Sequence, residues 1–206
     1  GPESMQLLEH AVAYASRKQV GLVIHNDAQH FSCGADLATI LGFVESGDMA
    51  GLDGFLSHYQ QTLRSMRYAP IPVVAAPSGL SMGGGFEVLL HTDKVIYHAN
   101  SVTGLVESLV GVVPGGGGVK EMLYRWFERE GDMTKAAWKA FMNIGYGKTA
   151  QSPLEARELA WTLHPPGGLY KILPKIFWPI PKAIDGWAAV IIGRRALANE
   201  EISPHG

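Results

Sequence analysis

Glu87 and Glu107 stand twenty positions apart, each just behind a glycine-marked turn: Gly83-Gly84-Gly85-Phe86-Glu87 and Gly104-Leu105-Val106-Glu107. A third turn, Pro114-Gly115-Gly116-Gly117-Gly118, follows shortly after. A helix that begins near Gly84 leaves backbone N–H groups without partners at its N-terminus, and these groups together with the helix dipole favour negative charge there. Glycine allows another molecule to approach such a backbone closely. A carbonyl placed against that terminus would be polarised, and a second N–H from another loop would complete an oxyanion hole. Two carboxyls that share one apolar cleft lose hydration and repel each other, so at least one pKa rises; one group can then donate a proton while the other accepts. Such a pair can grip a water molecule beside a carbonyl. On spacing alone a plainer reading stays open: a glutamate in a first helical turn that only complements the dipole, and glycines that only permit close helix–strand packing.

The elements that must position these groups are legible from periodicity. Met5 to Lys18 carries Leu7, Leu8, Ala11, Val12 and Ala15 at helical spacing. Val20 to His25 is a short β-branched run that suits a buried strand, and Pro72 to Ala76 and Lys94 to His98 read as two more. Asp36 is placed to cap a helix running through Leu37, Ile40, Leu41 and Val44. Gly47 to Gly54 reads as a loop and Phe55 to Arg67 as a helix, with Leu52, Leu56, Tyr59, Leu63 and Met66 as its core stripe. Further helices are predicted over 84–91, 119–130, 134–142 and 153–162. Strands alternating with helices give an α/β chain with largely parallel pairing.

Bulk properties narrow the function classes. The chain has 206 residues, 47% hydrophobic and 17% charged, with a formal net charge of −2. That is room for one substantial core, and it offers no basic field for nucleic acid. No apolar run reaches the ~20 residues of a membrane span. The single cysteine, Cys33, excludes an internal disulfide, fits a reducing compartment, and is expected to be a small buried residue. The eight histidines show no metal-ligand spacing, and the four-glycine turn lacks the Lys-Ser/Thr ending of a P-loop. Gly1-Pro2-Glu3-Ser4 reads as an expression remnant, 5–162 as the core, and 163–206 as a Pro- and Trp-rich tail in which 187–198 is a candidate helix. Arg194 and Arg195 read as a solvated helix end.

Three ordered segments resemble the signatures of the crotonase (enoyl-CoA hydratase/isomerase) superfamily. They are Gly21-Leu22-Val23-Ile24 leading to Phe31-Ser32-Cys33-Gly34-Ala35-Asp36-Leu37, then Pro72 to Gly79 with Ser81-Met82-Gly83-Gly84-Gly85-Phe86-Glu87, and finally Gly104 to Glu107 with Gly111 to Gly118. The last is most similar to the hydratase-like domain of fused 3-hydroxyacyl-CoA dehydrogenases, although no Gly-x-Gly-x-x-Gly follows an opening strand here. The resemblance implies a crotonase-like spiral of ββα units with a C-terminal helical region, a trimer or dimer of trimers, a cytoplasmic enzyme of fatty acid β-oxidation, and acyl-CoA substrates. It implies no metal, no membrane or nucleic-acid partner, and no tightly bound cofactor beyond the coenzyme A of the substrate. It assigns the oxyanion-hole amides to Ala35 and Gly84 and the two catalytic carboxyls to Glu87 and Glu107. Gly115 is assigned to the water, and Cys33, Leu37 and Gly83 to the substrate path. The implied reaction is syn hydration of a trans-2-enoyl-CoA. Three departures are expected to matter: a strand usual before the first helix is absent, Thr103 and Val106 replace the usual residues, and Phe86 would narrow the pocket.

Other readings stand beside it. A Clp-type serine peptidase would use Ser81 ahead of Met82-Gly83, with His91 or His98 as base, but it gives no reason for both glutamates. A non-catalytic acyl-CoA-binding or assembly domain is a second alternative. A Δ3-Δ2-enoyl-CoA isomerase is a third, and it can manage with one carboxylate.

Overall fold

The computed structural model describes residues 1–161 and 187–191. Helix α1 (Pro2–Lys18) buries Met5, Leu8, Ala11, Val12 and Ala15. It begins at Pro2, three residues before the expected start, because proline is preorganised for the first helical turn. Strand β1 (Gly21–His25) follows, then α2 (Leu37–Ser46) and α3 (Met49–Arg67). Asp36 caps α2 as expected, accepting from the Ala38 N–H at 3.1 Å. The predicted 47–54 loop is a correction: it shrinks to the α2–α3 junction, since Asp48 accepts from the Gly51 N–H at 2.9 Å and starts α3 six residues early. Thr62 donates to Glu9 at 2.7 Å and ties α3 to α1.

β2 (Val73–Ala75) and β3 (Leu80–Met82) lead into α4 (Gly84–Leu90), then β4 (Lys94–Val95) and β5 (Val102–Gly104). A 3₁₀ turn, Glu107–Val110, precedes α5 (Gly118–Glu130) and α6 (Met133–Gly145), and β6 (Thr149–Ala150) precedes α7 (Pro153–Glu158). The strands form two sheets, ordered β4-β2-β1-β7 and β3-β5-β6. The first is parallel throughout, with Leu22 opposite Val73 and Ile24 opposite Ala75. In the second, β3 and β5 are parallel and β5 and β6 antiparallel. The edge beside β1 is taken by β7 (Trp187–Ile191), which corrects the helix expected over 187–198 within the described range. The rest of the expected tail, including Arg194 and Arg195, falls outside the described residues.

Leu22, Ile24, Val73 and Ala75 of the parallel sheet pack with Leu63, Met66, Phe86, Leu89 and Leu90 into one core. Phe86 corrects an expectation here. It is fully buried against Trp161, ring centroids 5.0 Å apart, and so serves the core. Arg125 closes the same region, donating to the carbonyls of Leu90 at 2.8 Å and Trp161 at 3.2 Å. Among the described residues no helix is long and apolar enough to cross a membrane, and no cluster of three side chains is placed to hold a metal.

Candidate active site

The β3–α4 turn is the floor of the site. Gly83 extends β3 by donating to the Gly104 carbonyl at 2.8 Å, then turns with φ 53° so that Gly84 opens α4. The loop after β1 folds onto this turn. Its Gly34 has φ +93°, and a Cβ there would sit 2.9 Å from the Met82 carbonyl oxygen and 3.3 Å from the Gly84 nitrogen. A Cβ on Gly84 would lie 3.6 Å from the Ala35 nitrogen. The amides of Ala35 and Gly84 are therefore neighbours, and no hydrogen bond among the described residues engages either. Cys33 and Leu37 flank this amide pair and are both exposed; for Cys33 this corrects the expectation of burial.

Glu87, in the first turn of α4, is 1% exposed. Its Oε1 accepts from the Gly116 N–H at 2.8 Å and the Gly118 N–H at 2.7 Å, and its Oε2 accepts from the Gly116 N–H at 2.9 Å. Burial pushes its pKa up to about 7; the bond from Gly118 resists, the negative charge of Glu107 adds to the rise, and the bond from Gly116 resists again. Glu107 opens the 3₁₀ turn and lies over Gly83, where a Cβ would be 3.4 Å from its Oε1. Its Oε2 is buried without a partner among the described residues, and burial raises its pKa against the pull of its own and the Val106 amide.

Gly115 takes a different part from the two glycines that bind the carboxylate. Its carbonyl accepts from Gln60 Nε2 at 2.7 Å, which anchors the turn to α3. The amide pair on Glu87 was not legible in the sequence, because a run of four glycines does not say which N–H points where. Tyr59 was missed as well. Its hydroxyl donates to the Gly84 carbonyl at 2.6 Å, and burial, with Glu87 and Glu107 nearby, raises its pKa well above the ordinary range. Its place on the α3 stripe, one turn before Leu63, was the available signal. The site thus gathers Ala35, Gly83, Gly84, Glu87, Glu107, Tyr59 and the 115–118 turn.

Ser81 carries no nucleophile's environment. It is fully buried in β3 and its hydroxyl lacks a hydrogen-bond partner among the described residues, while His91 bonds the Glu87 carbonyl and His98 bonds Asn100.

Residues 3–130 match the family described as enoyl-CoA hydratase/isomerase. The chain is 37% identical over 159 residues to a probable 3-hydroxyacyl-CoA dehydrogenase of Bacillus subtilis, covering 77% of this chain and 20% of that protein. It is 36% identical over 146 residues to a putative fatty acid oxidation complex trifunctional enzyme of Rickettsia felis, covering 71% of this chain and 20% of the other. The chain thus spans about a fifth of the length of these curated relatives. Among solved structures, an enoyl-CoA hydratase from Bacillus anthracis superposes with a TM-score of 0.64 at 22% identity, over 77% of this chain and 57% of that one. A putative enoyl-CoA hydratase from Streptomyces coelicolor gives 0.64 at 24%, over 77% and 55%, so the fold is shared. By the match across most of its described length, the chain belongs to the enoyl-CoA hydratase/isomerase family.

Proposed function

We propose that this chain is a hydratase domain that adds water across trans-2-enoyl-CoA thioesters in fatty acid β-oxidation, with Glu87 and Glu107 as its acid–base pair. The observation that carries this reading is the state of Glu87: a buried carboxyl with pKa about 7, held by two backbone amides next to a second desolvated carboxyl. A general base works best with a pKa near the operating pH.

The thioester oxygen accepts from the Ala35 and Gly84 amides. A water held between the carboxyls loses a proton to Glu87 as its oxygen attacks the β-carbon. The C=C electron pair moves toward the thioester, and the two amides hold the enolate charge. Glu107, whose carboxyl burial shifts toward its neutral form, is assigned the delivery of a proton to the α-carbon on the same face. Both carboxyls then exchange protons with water and the cycle resets. The chemistry uses the coenzyme A thioester of the substrate and no further cofactor.

Relatives named as a dehydrogenase and as a trifunctional enzyme support a fused dehydrogenase domain in the full-length protein. Exposed apolar residues on α6, Trp138 and Phe141 among them, support a homo-oligomer such as the trimer. The lone cysteine supports a cytoplasmic setting.

Loss of enoyl-thioester absorbance on adding crotonyl-CoA tests the reading. Turnover by the parent chain, with a loss of 100-fold or more in Glu107→Gln, is the expected result, on the order of a removed catalytic acid. Calorimetric binding of the thioester without turnover would leave the non-catalytic binding domain instead. Conversion of a 3-enoyl but not a 2-enoyl thioester would leave the isomerase.

A further inference from the structure

Behind Glu87 lies a second polar cluster that the proposed reaction does not use. His91 follows Glu87 by one helical turn, at the C-cap of α4, and is 3% exposed. Its Nδ1 stands 2.8 Å from the Glu87 carbonyl oxygen. A carbonyl only accepts, so Nδ1 carries the proton. At the other edge of the ring, Nε2 faces Glu121 Oε1 of α5 at 3.9 Å. Glu121 is itself buried, with Lys120 Nζ 3.3 Å from Oε1 and Arg67 Nη2 3.8 Å from Oε2. Between these contacts the ring lies against Gly117: a Cβ there would be 3.3 Å from both Cε1 and Nε2. Gly117 separates the two residues whose amides hold the carboxylate. The glycine turn is therefore gripped from two sides, by the Glu87 carboxylate and by the imidazole one turn further along the same helix.

We propose that His91 is a positioning residue for Glu87: its ring, fixed by the Glu87 carbonyl and placed against Glu121, props Gly117 so that the Gly116 and Gly118 amides stay on the carboxylate. The inference rests on the reading of Glu87 as the base that activates water. The charged groups facing the ring are Arg67 from α3, Glu87 from α4, and Glu121 and Lys120 from α5. Burial lowers the proton affinity of His91; the Glu87 carbonyl and Glu121 raise it, and Lys120 and Arg67 lower it again. A ring that stays neutral near pH 7 acts here through shape and one hydrogen bond, not through charge.

Two readouts on the full chain test this: the Glu87 carboxyl titration by carbon-detected NMR, which needs no turnover, and the pH profile of crotonyl-CoA hydration. In His91→Ala the amides drift from the carboxylate and its ionised form loses support. The Glu87 midpoint should then rise by about one pH unit. The acidic limb of kcat should rise with it, with KM within two-fold and His91→Gln restoring at least half the shift. An unchanged NMR midpoint overturns the positioning role, whatever happens to the rate. A shifted midpoint that the rate does not follow keeps the positioning role and removes Glu87 as the base. Should His91→Ala fail to fold, His91→Leu, which fills part of the ring's volume but cannot bond the Glu87 carbonyl, should raise the midpoint by about half a unit; no shift there overturns the proposal too.

Discussion

A carboxyl forced to about pKa 7 inside a fold costs that fold stability at neutral pH, and Glu87→Gln measures how much. The ordinary value is 4.5 and the folded value about 7. At 1.36 kcal/mol per pH unit, full ionisation opposes folding by about 3 kcal/mol. The sign follows from proton binding. The folded chain holds the Glu87 proton to higher pH than the unfolded chain does, so the contribution of the neutral form is complete below 4.5 and is lost as pH rises to about 7. A glutamine keeps most of the geometry, because its carbonyl can accept from Gly116 and Gly118 where Oε1 does now. It forfeits only the second, shared arm from Gly116 to Oε2. The parent should therefore lose roughly 2–3 kcal/mol relative to Glu87→Gln between pH 5 and pH 8. Urea unfolding at both pH values reads this as a shift in midpoint at unchanged slope. In the same variant crotonyl-CoA hydration should fall by at least 100-fold, on the order of a lost general base. A stability gap that stays constant within about 0.5 kcal/mol across that range would refute the burial argument, and with it the claim that this carboxyl is tuned for proton transfer.

Three further substitutions probe the supports of the site. Tyr59→Phe removes the 2.6 Å bond to the Gly84 carbonyl and should cost about 1 kcal/mol of stability in urea unfolding. It should also lower kcat several-fold more than it changes KM, because the Gly84 turn carries the proposed oxyanion amide; an equal effect on both would assign Tyr59 to binding alone. Gly85→Ala places a Cβ 2.6 Å from the Ser32 carbonyl oxygen and should destabilise the chain by roughly 1–3 kcal/mol, seen as a lower Tm. Asp36→Ala removes the cap bonded to Ala38 at 3.1 Å and to Thr39 at 2.8 Å and should lower Tm. Because Ala35 precedes that cap, KM for the thioester should rise; an unchanged KM would detach the loop from substrate binding.

Much of the site was legible because its chemistry is concentrated in short segments. β2 is buried throughout and β1 is buried on one face and half-buried on the other, and both read as short apolar stretches; Asp36 caps α2 as its residue type suggests. The failures share physical causes. Gly51 and Gly54 look like loop residues, yet α3 runs through them because Asp48 caps it and the later turns pack on the core. β3, β5 and β6 are two or three residues long, too short for any period to show. The run Trp187–Ile191 suits a strand or a buried helix equally, and its pairing with β1 decides. Tyr59 falls on a core stripe, and a helical stripe does not distinguish a hydroxyl aimed at a backbone carbonyl from one aimed at solvent.

The four-glycine turn meets several structural demands at once. A linker of glycines would tolerate substitution, but these positions are constrained for separate reasons. A Cβ on Gly116 would come within 2.6 Å of Glu87 Oε2 and 2.7 Å of Leu63 Cδ1, and one on Gly118 within 2.9 Å of Glu87 Oε1. Gly117 has φ +109°, outside the range L side chains adopt readily, and the His91 ring leaves little room beside it. The turn also caps α5: Gly117 is its N-cap, Gly118 supplies a helix-terminal amide, and Gly116 stands just ahead of the cap. Both the Gly116 and Gly118 amides are spent on a buried carboxylate. The arrangement joins two requirements in one stretch of backbone: α5 needs an acceptor at its start, and Glu87 needs donors to ionise in an apolar setting. Either need met alone would leave a buried polar group unpaired, which is why the carboxyl and the glycine run are expected to stand or fall together.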